Sequence, residues 1–457
     1  MFNILSGALS LAISRFITYE MGQPEVSLIR LQRIFSSSLI IQVVMGLTIC
    51  LLIGTFGVWF VENKMVVPLE RLNVTLYVLL FSSLSFFINL LSVPYNALII
   101  AHEQMKAFAY ISIVEVALKL AIAYILIVAS LDKLMLYAFC MVIVSLFVRS
   151  VYAIYCKRHF EECRFVWGFD KRLLSKMFIF SGWAFLGNGS FVLKEHGVNI
   201  LLNVFCGPAV NAARGITSQV TNAVTMFVTN FMQAVNPQIT KSYSSGDLKE
   251  MHRLIFKSSR FSFYLMLILG LPLMKSVDYI LGLWLISVPE YTAIFIQLLL
   301  VFCLMDCIVQ PLMTGLVAEG NIRIYVIMLF IFNIGNVAFS FAALRFGISP
   351  EYVYVISIIM EIGIMLSRIL LSRKAYRLRI RSFCKEVLCK VLFVSVITGL
   401  FAYFFRLSIE NLFCQFMLVS LSIILFTLFI IYALGLKYEE KQYFISLLLK
   451  KVTFMKL

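Results

Sequence analysis

Charged residues inside long apolar stretches are the first candidates for chemistry in this sequence. A charged side chain in hydrocarbon is costly, and such residues often mark a substrate or ion pathway. They can equally be structural ion pairs, or long side chains whose charged ends reach the membrane surface. The residues concerned are Glu115, Lys119, Arg149, Lys194, Glu195, Arg214, Lys275, Asp278, Asp306 and Glu361.

Arg214 is distinctive because its own segment offers no acidic residue within two helical turns. Asn211 precedes it, and the previous segment carries Lys194 together with Asn188 and Asn199. Amides and cations on two neighbouring segments indicate a wet cavity more readily than a lipid-facing surface. We predict that these five residues bind an anionic substrate. A packed hydrogen-bond network between helices would give the same pattern.

Two pairs of charged residues have spacings that favour local ion pairs. Glu115 and Lys119 are four residues apart, so their side chains share one face of a helix. Lys275 and Asp278 stand near the end of an apolar segment, where we expect an interfacial pair. Both pairs are interpreted as structural.

Asp306 and Glu361 are carboxylates deep in apolar segments, and their neighbours in the sequence suggest no partner. A carboxylic acid kept neutral and hydrogen-bonded is one interpretation. The other is a site that couples proton or cation movement to transport. Both residues are therefore candidates for coupling.

The elements that must position these residues are long apolar segments. Hydrophobic residues make up 61% of the 457, charged residues 14%, and the mean hydropathy is +0.96. Segments of about 20 apolar residues cross a hydrocarbon core as helices, because their backbone groups must bond internally. The sequence predicts an all-α polytopic membrane protein with thirteen transmembrane helices, near residues 1–18, 37–61, 74–100, 107–130, 134–156, 177–205, 209–240, 259–281, 291–318, 323–345, 352–372, 389–406 and 412–435.

Lysine and arginine residues are distributed unevenly between the loops that join these segments. Of the 39, 29 fall on one side of the predicted membrane and 5 on the other. Basic loops stay in the cytoplasm, so that side, which includes the C-terminus, is predicted to be cytoplasmic. The net charge of +16 is thereby explained by topology, and we expect no nucleic-acid partner.

Motifs for catalysis, cofactors and metals are missing from the sequence. The ten cysteines include no CxxC pair, and most lie in apolar segments. There is no DxD, nucleophile elbow or glycine-rich phosphate loop. A membrane glycosyltransferase or polymerase usually needs a larger loop or domain outside the membrane than any here. We therefore expect neither an enzyme nor an ATP-driven pump, and no cofactor.

An internal repeat is visible in two motifs. Tyr19–Gly22 (YEMG) corresponds to Tyr243–Gly246 (YSSG), and Pro94, Ala101 and Lys106 have the same spacing as Pro311, Ala318 and Arg323. Each copy of a motif falls on the same predicted side of the membrane, so the repeat is parallel. Parallel repeats that handle a substrate between them are typical of transporters working by alternating access. A duplicated structural protein without transport is the alternative.

Several runs resemble bacterial polysaccharide flippases of the multidrug/oligosaccharidyl-lipid/polysaccharide exporter superfamily, which also contains the multidrug and toxin extrusion transporters. The resemblance covers nearly the whole chain and is carried by Val93–Ala97 (VPYNA), Ala101–Glu103 (AHE), Tyr155–Phe160 (YCKRHF), Gly207–Ile216 (GPAVNAARGI) and Ala234–Ile239 (AVNPQI).

This resemblance implies fourteen helices, arranged as two pseudo-symmetric six-helix lobes and two further C-terminal helices. The corresponding domains are an N-terminal lobe at 1–160, a C-terminal lobe at 170–375 and the additional helices at 385–436, with the first helix of the N-terminal lobe expected to be missing. The implied activity is translocation of undecaprenyl-diphosphate-linked oligosaccharide across the bacterial inner membrane for surface polysaccharide or lipopolysaccharide synthesis. The implied partners are that substrate, membrane lipids and polysaccharide polymerase machinery.

The substrate implied by the resemblance gives the cationic residues a specific role. Arg214 and Lys194 would contact the diphosphate, because a guanidinium binds phosphate oxygens in pairs. The asparagines would hydrogen-bond sugar hydroxyls. A cation-coupled multidrug exporter of the same fold is the alternative function, although its cationic substrates would favour carboxylates over cations at this position.

Overall fold

The computed structural model describes residues 2–63, 69–129, 132–166, 170–407 and 411–442. Within these ranges all regular structure is helical, with no strand, which confirms the predicted all-α fold class. Each of the thirteen predicted segments corresponds to a long helix. These are α1 Phe2–Met21, α2 Leu28–Asn63, α3 Leu69–Ala101, α4 Met105–Val128, α5 Lys133–His159, α6 Lys171–Cys206, α7 Pro208–Ser244, α8 Leu248–Lys275, α9 Thr292–Glu319, α10 Arg323–Arg345, α11 Tyr352–Tyr376, α12 Ile380–Phe404 and α13 Leu412–Gly435.

Local sequence explains where several helices begin and end. The Asp132 carboxylate accepts hydrogen bonds from the first amides of α5, and the Asn411 side chain does the same for α13. Gly320 ends α9 with a φ of 95°, a conformation that costs glycine little. Gly207, at a φ of 85°, separates α6 from α7, and Pro208 then begins α7.

The chain divides into two compact units. The first comprises the described residues up to Gly189 together with Thr240–Asp247, and the second comprises Ser190–Ile239 and the described residues from Leu248 onward. The helices α6 and α7 therefore each contribute to both units. The lobe limits proposed from the sequence, 1–160, 170–375 and 385–436, remain a prediction.

In the first unit, α3 is the central helix and packs against α1, α2 and α5. Its core includes an edge-to-face contact between the rings of Phe35 and Tyr95, whose centroids are 5.1 Å apart. The buried thiol of Cys156 donates to the Tyr95 carbonyl oxygen at 3.5 Å. The Arg149 guanidinium lies 3.8 Å from the centroid of the same ring.

In the second unit, α9 packs against α8 and α11, and α12 and α13 pack against α8. Leu300 and Ile296 of α9 are fully buried in its core. The Tyr264 hydroxyl of α8 donates to the Gly435 carbonyl oxygen at 3.4 Å, which joins α8 to the end of α13. The C-terminal helices are thus part of this unit's packing.

Ten of the thirteen helices are long and apolar enough to cross a membrane, so the protein is a multi-pass membrane protein. Among the described residues, α1, α6 and α7 are not included in these ten. In α6 and α7 the apolar character is lowered by lysine, arginine and amide side chains. These two helices carry the residues predicted to bind substrate.

Both repeat motifs adopt matching local structures. The Gly22 amide donates to the Tyr19 carbonyl at 3.2 Å, and the Gly246 amide donates to the Tyr243 carbonyl at 3.1 Å, so a hydrogen bond of the same spacing lies at both helix ends. The second motif also matches, because α3 and α9 each contain an internal proline shortly before their ends. The parallel arrangement of the two copies remains a prediction.

Candidate functional site

The connection between α6 and α7 places three charged residues together in the second unit. Arg214 of α7 donates from Nη2 to Glu195 Oε2 at 2.7 Å and to the Glu195 carbonyl oxygen at 3.3 Å. The ammonium of Lys194 lies 3.6 Å from Glu195 Oε1. The carboxylate therefore bridges the two cations, and the group carries a net charge of one positive unit when all three are ionised.

Burial differs sharply within this group. The side chains of Lys194 and Arg214 are 8% and 9% exposed, whereas that of Glu195 is 41% exposed. Two nearly buried cations that share one half-exposed carboxylate are only partly neutralised. The sequence offered no acidic partner for Arg214 along α7, because its partner comes from α6.

Aromatic rings contact both cations. The Lys194 ammonium lies 4.8 Å from the centroid of the Phe191 ring and 5.0 Å from that of Phe302. The Arg214 guanidinium carbon lies 5.8 Å from the Tyr354 ring centroid. Cations close to ring faces gain electrostatic energy from the ring quadrupole. This contact holds the two side chains in place without neutralising their charge.

The predicted asparagines have different surroundings. Asn211 lies one turn before Arg214, and its Oδ1 atom is buried without a hydrogen-bond partner. A buried acceptor left without a donor costs free energy, so this oxygen has unused capacity to bind a donor. Asn199 is half-buried on α6, one turn after Glu195. Asn188 is half-buried in the first unit, and its grouping with Arg214 remains a prediction.

Asp306 and Glu361 are not isolated carboxylates, which corrects the expectation from the sequence. The Arg368 Nη1 atom lies 2.8 Å from Asp306 Oδ1 and 3.7 Å from Glu361 Oε1. Gln310 Nε2 donates to the other Asp306 oxygen at 3.2 Å. These residues come from α9 and α11, whose packing brings them together. A role in coupling remains a prediction for both carboxylates.

Arg368 is not among the candidates from the sequence, because it lies near the cytoplasmic end of the predicted helix 352–372 and is counted with the basic residues of the following loop. The structure places it inside α11 with a side chain only 8% exposed. Its spacing of seven residues from Glu361, two helical turns on one face, could have identified it. Arg260 is a second such case, since it lies 2% exposed in α8 and pairs with Glu440.

The two charged clusters of the second unit are neighbours. Phe302, which contacts Lys194, lies one turn before Asp306 on α9. Lys194 is close enough to Glu361 to interact with it electrostatically. Together the clusters hold three cations and three carboxylates, so the cationic character predicted for this region is confined to the group around Arg214.

The two pairs predicted from spacing have different outcomes. Lys119 Nζ donates to Glu115 Oε1 at 2.6 Å, which confirms the local ion pair. Lys275 Nζ instead donates to the Tyr403 carbonyl oxygen at 3.3 Å, and within the described part of the chain it forms no ion pair with Asp278.

The described residues also contain no group of three or more histidine, cysteine, aspartate or glutamate side chains placed to hold a metal ion.

No protein-family model matches the sequence, and comparison with curated proteins gives no match. Solved structures do share the fold. A mutant of a MATE transporter is 13% identical over 84% of this chain and 86% of its own, with a TM-score of 0.73. A MOP superfamily transporter from Pyrococcus furiosus, described as having a binding pocket of reverse polarity and a different function, is 12% identical over 84% and 85%, with a TM-score of 0.71. A mutant MATE transporter from Vibrio cholerae is 14% identical over 83% and 86%, with a TM-score of 0.71. The chain therefore has a fold like that of the MATE transporters.

Proposed function

We propose that this protein translocates undecaprenyl-diphosphate-linked oligosaccharide across the bacterial inner membrane by alternating access, for surface polysaccharide synthesis. The MATE fold supports transport, because proteins with this fold include multidrug exporters. The fold alone does not determine the function, so the argument for an anionic, lipid-linked substrate rests on the side chains around Arg214. The C-terminus would face the cytoplasm, and no enzymatic step is involved.

The observation that carries the proposal is the excess of buried cation around Glu195. Lys194 and Arg214 are nearly buried and share one carboxylate that is itself half-exposed. A diphosphate presents several oxygens to both cations, and charge-assisted hydrogen bonds of this kind are about twice as strong as neutral ones. The approaching anion would compete with Glu195, so this carboxylate would keep the cations positioned until substrate arrives.

The amide environment fits the sugar part of the substrate. The partnerless Asn211 oxygen lies one turn from Arg214 and can accept a hydrogen bond from a hydroxyl. Asn199 follows Glu195 by one turn on α6 and can donate or accept. The related fold from Pyrococcus furiosus, with its pocket of reverse polarity, indicates that this architecture is compatible with more than one pocket charge.

A cation-coupled multidrug exporter is the second candidate. It is favoured by one further solved structure of this fold, which is described as a multidrug resistance MATE family transporter, and by the carboxylates of Asp306 and Glu361 inside α9 and α11. Arg368 contacts both carboxylates and offsets one of their two charges, so one negative unit remains there when all three groups are ionised. The group around Arg214 has the opposite balance, with one positive unit left for an anionic substrate, and this group supports the first candidate.

Complementation of surface polysaccharide tests the proposal. The chain and its Arg214→Ala and Arg214→Lys variants are expressed in a host that lacks its own flippase but synthesises the matching lipid-linked oligosaccharide. Arg214→Ala should abolish surface polysaccharide. Arg214→Lys should retain part of it, because the lysine ammonium keeps the positive charge but cannot form the bidentate contact of a guanidinium with phosphate oxygens. Arg345→Ala, which removes an exposed arginine at the end of α10, is the matched control and should retain activity.

Membrane insertion and abundance are measured for every variant by immunoblotting of membrane fractions. Full activity of Arg214→Ala at normal abundance would exclude a role for this cation in substrate binding. Efflux of cationic dyes is measured in parallel. Dye efflux that depends on Asp306 and is indifferent to Arg214 would establish the multidrug alternative.

A further inference from the structure

A cavity of about 360 Å³ lies in the second unit, where the ends of α8, α12 and α13 meet. Its volume is within the range of about 300–1,000 Å³ that is typical of small-molecule sites. Its lining includes two cationic side chains, three aromatic rings and an aliphatic residue: Lys275, Arg406, Tyr279, Phe405, Phe416 and Leu407. Nothing in the proposed transport cycle uses this cavity.

Charge in the cavity is positive and accessible. Lys275 and Arg406 are both exposed, and among the described residues of the lining Asp278 is the one carboxylate, so these three side chains sum to one positive unit. Lys275 donates one hydrogen bond to the Tyr403 carbonyl oxygen at 3.3 Å. An ammonium has three donors, so two remain for a ligand.

The position of these cations is unusual for the side of the membrane on which they lie. Only 5 of the 39 lysine and arginine residues fall in the predicted outer loops, and Arg406 is one of them. Lys275 ends α8 at the same side. Basic residues are depleted on the outer side of membrane proteins. Arg406, one of these five, lines the cavity together with Lys275 at the end of α8, which indicates a local function.

Part of the lining is aromatic and aliphatic, and the polar side chains of Ser276 and Gln415 lie beside it. The rings of Tyr279 and Phe416 stack with their centroids 5.0 Å apart. Val419, which also lines the cavity, belongs to a small core cluster with Ala402 and Ile423, against which Phe405 packs. Exposed cations beside aromatic and aliphatic side chains form an amphipathic site, which suits a lipid better than a free ion.

We propose that this cavity binds the phosphate of an anionic phospholipid from the outer leaflet, with the glycerol and first methylenes of the lipid on the aromatic side chains. Lys275 and Arg406 would donate to the phosphate oxygens. The short helix Val277–Trp284 begins at this cavity, and the positive end of its dipole adds to the attraction. The lipid would join α8 to the C-terminal helix pair.

Lipid titration of the purified protein tests this assignment. Native mass spectrometry in a non-ionic detergent measures binding of dioctanoyl phosphatidylglycerol, dioctanoyl phosphatidylcholine and glycerol 3-phosphate. The double variant Lys275→Gln with Arg406→Gln should weaken phosphatidylglycerol binding by about tenfold, since two solvent-exposed charge contacts are lost. The charge-preserving pair Lys275→Arg with Arg406→Lys should retain binding.

The matched control removes two other exposed basic residues of the same predicted side, Lys133→Gln with Arg345→Gln. It changes the net charge equally, so it should leave phosphatidylglycerol binding unchanged if the cavity is the site. An equal loss in both double variants, or no loss in the first, would overturn the proposal. Equal binding of glycerol 3-phosphate or of phosphatidylcholine by the wild-type protein would also overturn it, because the site would then not select an anionic lipid.

Discussion

Replacing Arg368 with methionine should be among the most destabilising single changes in the second unit. The variant Arg368→Met keeps most of the side-chain volume but removes the guanidinium that lies 2.8 Å from Asp306 and 3.7 Å from Glu361. The side chains of Arg368 and Glu361 are 8% and 4% exposed, so solvent screens their charges little. Removing one partner of such a buried pair costs about 3–5 kcal/mol. The 28% exposure of Asp306 places the expected loss near the lower limit of about 3 kcal/mol.

A mutant cycle separates lost attraction from lost packing. The triple variant Arg368→Met, Asp306→Asn, Glu361→Gln leaves no uncompensated charge, and buried ionic groups replaced by neutral ones often retain or gain stability. We therefore expect it to recover most of the loss. The free energy of unfolding is measured by titrating the purified protein with sodium dodecyl sulfate in mixed micelles. A loss below about 1 kcal/mol for Arg368→Met, or a triple variant no more stable than the single, would refute the buried triad.

Two further predictions concern the first unit. Burial acts to raise the pKa of Glu162, but hydrogen bonds from the His102 ring and a backbone amide lower it below the ordinary value of 4.5. The ionised Glu162 carboxylate stabilises the folded state above pH 4.5, and this stabilisation is lost as the pH falls through the lowered pKa. Glu162→Gln should therefore flatten the dependence of the melting temperature on pH below about 4.5. An unchanged dependence would contradict this. Gly22→Ala should destabilise by about 1–3 kcal/mol, because its Cβ would lie 2.7 Å from the Lys241 backbone. The control Gly182→Ala has nothing within 4 Å of its Cβ and should be neutral or stabilising in thermal unfolding; equal effects of the two would argue against the close approach.

The number and order of the helices could be predicted from the sequence because their cause is local. A backbone in hydrocarbon must form its own hydrogen bonds, so a run of apolar residues determines a helix without knowledge of its neighbours. Helix limits were less accurate where polar turns extend a helix beyond the apolar run. α8 begins at Leu248, well before the predicted 259, because its first turns are amphipathic.

Partners across helices could not be predicted in the same way. Spacing identified Glu115 with Lys119 because both residues lie on one helix. The contact of Arg214 with Glu195 depends on how α6 and α7 meet. The same holds for Arg368 with Asp306, which required the packing of α9 on α11. Sequence patterns identified which segments are polar, whereas pairing and net charge at the site required three-dimensional packing.

Direct measurement of flipping tests the central claim. The purified protein is reconstituted into liposomes that contain a fluorescent undecaprenyl-diphosphate-linked oligosaccharide, and a membrane-impermeant reductant quenches the label exposed on the outside. Wild-type protein should give continued loss of fluorescence as label moves outward, and Arg214→Ala should resemble protein-free liposomes. Equal rates for wild-type protein and protein-free liposomes would contradict the proposed function.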